Sequence, residues 1–213
     1  MPRLDVPVEY QSGEKTCLLQ GIHMILNYYD AIPDDIDDLM STETDHVGTY
    51  LPQIGAWLER HGYDTSMITA HPELFTQAAQ DMDVSERNEH VLTKQPSSEQ
   101  DEKVLGYFED YVANGGRITY EIPGMTTIQR CVDAGHPVGA CATTHFKTET
   151  ERTMNFHFLV VTGYDEDYVY VNDPKPPYTE DGTARYTHEA FTYAVHATVM
   201  GDLDNGSMFV VKP

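Results

Sequence analysis

Near the start of the chain a polar, glycine-containing loop gives way abruptly to apolar residues at helical spacing. In "VEYQSGEKTCLLQGIHMILNYYD", residues 8–30, Leu18, Ile22, Ile25 and Tyr29 fall on one stripe, with Leu19 and Leu26 beside it. That period predicts a buried helix over 17–29. Thr16 is placed to cap it, its hydroxyl accepting from a free amide of the first turn. Residues 6–10 read as short and extended. "AIPDDIDDLM" reads as a turn and a short acidic helix, and "TYLPQIGAWLERHG" as a helix stopped by Gly62. "YDTSMIT" has strand character. Residues 76–96 are polar and weakly patterned, a loop or a partly helical insertion. "SEQDEKVLGYFEDYVANGG" is a helix with Val104, Tyr107, Phe108 and Tyr111 as its stripe, Ser98 as its cap and Gly115 and Gly116 as its stop.

The second half changes character. "TTIQRCVDAGHPVGACATTHF" reads as a short helix, a Gly-His-Pro turn and a strand over 138–143. "NFHFLVVTGYDEDYVYVNDP" reads as two strands around an acidic turn, "THEAFTYAV" as a short helix and "GSMFVVK" as a closing strand. A helical front half followed by a mainly antiparallel sheet is an α+β pattern. With no repeat, low-complexity tract or clear linker, the chain is expected to form one domain over 1–213, its helical part about 1–135 and its sheet part about 136–213.

Charge changes the picture by exclusion. Asp and Glu number 35 against 13 Lys and Arg, a net charge of −22, which disfavours a phosphate-backbone partner. The acidic residues are dispersed ("DDIDD", "SSEQDEK", "TEDG") rather than gathered in a tail, as in the solvated coat of proteins from salt-loving organisms. No apolar run reaches bilayer length and the N-terminus carries no apolar signal core. The expectation is a cytoplasmic protein without nucleic-acid or membrane partners.

Cys17, Cys131 and Cys141 are too few and too scattered for a disulfide framework, and they form no CxxC pair. Cys131 and Cys141 read as core residues. Cys17 is different. On the first turn of a helix it feels unpaired amides and the positive end of the helix dipole, which favour thiolate over thiol.

The hairpin offers Cys17 a partner. With its turn centred near Asp165, His157 faces Asp173 across the ladder, about 5 Å apart at Cβ and within reach of an imidazole–carboxylate hydrogen bond. Each residue alone also reads blandly, His157 as a strand-start histidine and Asp173 as the start of the "NDP" turn. A nearby imidazole would complete an ion pair with the thiolate, and a carboxylate behind it would fix the ring. Oxyanion donors could come from the Cys17 amide and from Gln11 in the preceding loop. His145, in the polar segment "THFKTETERT", is the rival base. No metal or cofactor is expected.

Gln11 followed by Cys17 at the head of "CLLQGIHMILNYYD" resembles the first motif of papain-like cysteine peptidases, in particular the family-39 type whose founders remove double-glycine leaders from bacteriocin precursors. "HFLVVTGYDEDYVYVNDP" is similar to that family's second motif, and "IQRCVDAGHPVGACA" to the helix, turn and strand before its histidine. The resemblance implies a papain-like α+β fold, Cys17 as nucleophile, His157 as general base and acid, Asp173 as its orienting partner and Gln11 as oxyanion donor. It departs at Thr16 and Leu18, where many members have aspartate and glycine around the cysteine. Two functions follow: a cysteine peptidase or related amide hydrolase acting on a peptide or protein substrate, or a catalytically silent domain that binds a peptide or partner protein. Residues 65–120, which the resemblance explains least, are the expected source of specificity.

Overall fold

The structure is a computed structural model that describes residues 2–45, 47–143, 156–175 and 181–213. Helix α1 (Cys17–Tyr28) is followed by the short α2 (Ile36–Met40), then α3 (Leu51–Arg60) and strand β1 (Asp64–Thr69). Gly62, at φ +86°, makes the turn between α3 and β1 that a β-carbon would strain. Helices α4 (Val84–Leu92) and α5 (Glu99–Ala113) lead to β2 (Arg117–Tyr120), α6 (Met125–Asp133) and β3 (Val138–Thr143). The hairpin of β4 (Phe156–Tyr164) and β5 (Tyr168–Asn172), then β6 (Thr183–Thr187), α7 (His188–His196) and β7 (Ser207–Lys212), complete the chain.

These strands form one seven-stranded sheet in the order β2-β1-β7-β3-β4-β5-β6. All neighbours are antiparallel except β1 and β2. The α+β class expected from the sequence is the one observed. The sheet is longer than expected at both ends, since "RITY" in the front half forms β2 and "TARYT" forms β6. Within the polar stretch 76–96, Asp83 and Glu86 close a reciprocal capping box that starts α4. Ser98 caps α5 by accepting from the Asp101 amide, as its position implied.

The apolar runs of the central strands reflect burial on both faces. Phe158, Val160, Phe209 and Val211 join one core with Leu19, Ile22, Ile25 and Leu26 of α1, and with residues of α3 and α5. Leu159, Val161, Met208 and Val210 alternate to the other face, where α6 and α7 supply Ile128, Val132, Phe191 and Val195. Each fully buried aliphatic side chain contributes roughly 1.5–3 kcal/mol. Helix α1 lies directly on β4. A β-carbon on Gly21 would stand 2.4 Å from the Phe158 ring, so only glycine permits this approach. That close contact brings the head of α1 to the start of β4.

Candidate active site

Cys17 is the first residue of α1. Thr16 occupies the cap position, yet its side chain makes no cap bond. Its hydroxyl donates to the Gly13 carbonyl at 3.0 Å instead. The expected cap is therefore absent, because the hydroxyl holds the loop and leaves the first-turn amides unclaimed. One of them, Leu18 N–H, is directed at the Cys17 sulfur. Lys15, two residues before the cysteine, takes φ +67°, a left-handed conformation that a non-glycine residue adopts at a cost.

His157 and Asp173 meet, though not by the register expected. The ladder pairs Val160 with Asn172 and Val161 with Val171, then shifts between Val161 and Gly163. The turn lies beyond Asp165, with Gly163 opposite Tyr170, which displaces the register by three; the bulge in β4 takes back one, and extending the resulting pairing makes His157 and Asp173 diagonal neighbours on one face rather than direct partners. The imidazole still reaches the carboxylate. Nε2 of His157 and Oδ1 of Asp173 lie 2.6 Å apart, with His157 only 4% exposed and Asp173 fully buried. A shift of two preserves the face, whereas a shift of one would have lost it.

With Nε2 engaged by Asp173, the other ring nitrogen is left for Cys17, whose sulfur shares a hydrogen bond with the imidazole. Burial pushes the Cys17 thiol up, but His157, by hydrogen bond and by charge, and the amides of Phe158 and Leu18 outweigh it. The thiol titrates below its ordinary value. Burial likewise opposes a charged His157, and its bonds to Asp173 and Cys17 overcome that and raise it. The two shifts point to one ion pair, thiolate against imidazolium.

The three residues of "NDP" each fix a different part of this site. Asn172 donates to the Val6 carbonyl at 2.8 Å, Asp173 engages His157, and the Pro174 carbonyl accepts from the Gln11 amide at 2.8 Å. The segment so held is tied to α1 as well. Glu9 bonds Gln20 at 2.7 Å, His23 at 2.5 Å and Asn27 at 2.7 Å. Residues 6–11 therefore staple the cysteine helix to the histidine hairpin. The Gln11 side chain donates from Nε2 to the Gly13 carbonyl at 2.7 Å, which leaves its second N–H unused by that bond. His145 lies outside the described residues.

Cys17 and His157 line a small cavity of about 50 Å³ shared with residues 47–51 and with Asp202, Asp204 and Asn205. Cys141 lines it too. The residue is partly exposed while its thiol is enclosed and donates to Asn205 Oδ1 at 2.9 Å, so the core role expected for it is corrected, while Cys131 is buried. Cys141 sits on a strand whose apolar neighbours hid its place at the site. Asp202 and Asp204 were missed entirely, because "GDLDNG" reads only as a turn. Asp204 accepts from the Leu51 amide at 2.8 Å, capping α3 from far along the chain. Among the described residues, no three His, Cys, Asp or Glu side chains converge to hold a metal ion.

Two of the solved structures that resemble the chain can be compared with it. One is a double glycine motif protease from an AMS/PCAT transporter, in complex with the leader peptide, at 14% identity and TM-score 0.49, covering 100% of this chain and 94% of that one. The other is a protein from Bacillus anthracis described as a C39-like peptidase, at 15% identity and TM-score 0.47, covering 100% and 97%. No curated protein matches. The family comparison covers nearly the whole chain: the Peptidase_C39 like family matches residues 3–198, and the protein belongs to that family.

Proposed function

We propose that the protein is a cysteine peptidase in which Cys17 is the nucleophile, His157 the general base and acid, and Asp173 the residue that orients the imidazole. The observation that carries this reading is the row Cys17–His157–Asp173, its histidine and aspartate buried, with the thiol lowered and the imidazole raised. A retired site has no use for a desolvated carboxylate behind a histidine. Membership of a peptidase-like family supports the same reaction class.

The chemistry follows from the ion pair. The Cys17 thiolate attacks a peptide carbonyl, and the carbonyl π electrons move to oxygen. The Cys17 amide and the second N–H of Gln11 are the donors proposed for that oxyanion. Imidazolium at His157 protonates the departing amine as the C–N bond breaks, leaving a thioester. Neutral His157 then takes a proton from water, which adds to the thioester carbonyl and releases the acid product and the thiolate. Leu18, where the family resemblance led one to expect glycine, retains a backbone N–H, which this reading assigns to the thiolate. The reading takes 1–213 as one papain-like unit, supported by a single sheet that joins strands from both halves.

The test is hydrolysis of a peptide panel by the wild type and by Cys17→Ala. The variant is expected to lose at least about 10³-fold in kcat/KM, equivalent to about 4 kcal/mol of transition-state stabilisation. Unchanged hydrolysis would exclude Cys17 as nucleophile.

A further inference from the structure

The cavity beside Cys17 and His157 is lined in part by carboxylates that the chemistry above does not use. Asp204 lines it at 6% exposure, and Asp202 lines it two residues earlier in the same turn. One Asp204 oxygen is accounted for by the Leu51 amide. Burial pushes the Asp204 carboxyl up to about 7, and the charge of Asp202 and Asp45 acts in the same direction. Lys15 also lines the cavity, and its ammonium donates to the Asp45 carbonyl at 3.3 Å. The cavity sets these two carboxylates close to a nucleophile, while the cations that also line it are committed, Lys15 to the Asp45 carbonyl and His157 to Asp173 and Cys17. An entering ammonium or guanidinium would give the carboxylates a partner and remove the repulsion within the turn.

We infer that this cavity is a specificity subsite for a basic side chain, lysine or arginine, carried by the substrate within two residues of the scissile bond, with Asp204 and Asp202 as the recognising groups. The inference rests on the peptidase reading and gives it a substrate class. The distance limit comes from the cavity itself. Cys17 and Asp204 line the same small space, so only a side chain next to the reacting carbonyl reaches the carboxylates. The general acidity of the chain, net −22, would draw cationic peptides to any part of its surface. A subsite differs in demanding the charge at a fixed position.

That difference is the basis of the test. A randomised decapeptide mixture containing lysine, arginine, norleucine and glutamate is digested, and mass spectrometry reads every cut that Cys17→Ala does not make. Lysine or arginine is expected at one position within two residues of the cut at least about fivefold more often than norleucine, with glutamate depleted there. More distant positions should show no such preference. Asp204→Asn keeps an acceptor for the Leu51 amide and removes the charge, and it should bring the ratio to within about twofold of unity. Asp202→Asn, on a partly exposed residue, should lower the ratio in part and serves should Asp204→Asn fail to fold. Equal use of lysine and norleucine, or a preference that both variants retain, would overturn the subsite and leave the peptidase reading standing. A mixture with no Cys17-dependent cut would overturn both.

Discussion

A thiol that burial alone would hold protonated is drawn below its ordinary titration here by one imidazole and two amides. Iodoacetamide near pH 7 should therefore modify Cys17 well before Cys131 and Cys141, both of which burial holds above the ordinary thiol range. Equal, slow modification of all three would argue against an activated thiolate. The signs predict the pH profile as well. Alkylation of Cys17 should rise with a midpoint below 9.0, and in His157→Ala, where only the two amides still oppose burial, the midpoint should move to higher pH. Peptide turnover also needs the His157 proton, so kcat/KM should be bell-shaped, its alkaline limb lying above the ordinary imidazole value of 6.5. A second titration belongs to Asp204. Its carboxyl keeps in the native state a proton that the unfolded chain releases at an ordinary aspartate value, so stability declines as pH rises from 3.8 to about 7. Asp204→Asn carries no charge at any pH. Denaturant melts should find it no more stable than wild type near pH 4, and more stable by roughly 1–4 kcal/mol at pH 8. A pH-independent difference would mean that Asp204 ionises normally.

At the scale of elements, the site depends on how α1 is seated against β4 and β5. Asn172→Ala removes the tie to the Val6 carbonyl without touching Cys17, His157 or Asp173. It should cost about 1–2 kcal/mol in a denaturant melt and slow Cys17 alkylation, since the staple that registers the helix is loosened. Unchanged alkylation would show that residues 6–11 do not position the thiol. Gly21→Ala should act more strongly, because its β-carbon meets the Phe158 ring and forces α1 off the strand. Much of this arrangement was legible in the sequence. The stripe of α1, the stop at Gly62 and the strand 138–143 follow from periodicity and turn chemistry, and each formed close to its expected bounds. Strands β2 and β6 were not legible, being short, polar in composition and stabilised by neighbours distant in sequence. The hairpin register was out by two because the turn lies beyond Asp165 and a one-residue bulge offsets only part of that, neither of which marks the apolar pattern, yet the pairing of His157 with Asp173 survived. The Thr16 hydroxyl, the Cys141 thiol and the Asp202–Asp204 turn were misread or missed for one reason. Each acts through tertiary contacts that no local pattern encodes.

For the whole molecule, the excess of 35 acidic over 13 basic residues dominates the electrostatics. Ion pairs such as Arg60–Asp110 and Lys103–Asp45 offset only a part of it. Like-charge repulsion in the native state weakens as salt shortens the screening length, from about 10 Å at 0.1 M to about 3 Å at 1 M. Melting temperature should therefore rise with KCl from millimolar to molar concentration, and an unchanged melt would remove the adaptation to salt as the reason for the charge. No described helix is long and apolar enough to cross a membrane. Nothing in the family match names a substrate. The central claim, that Cys17 cleaves peptide bonds, is tested most directly by N-terminal profiling of a proteome incubated with the protein, against Cys17→Ala as control. The account predicts new N-termini that appear with the wild type and are absent with the variant. Identical profiles with both proteins would contradict it.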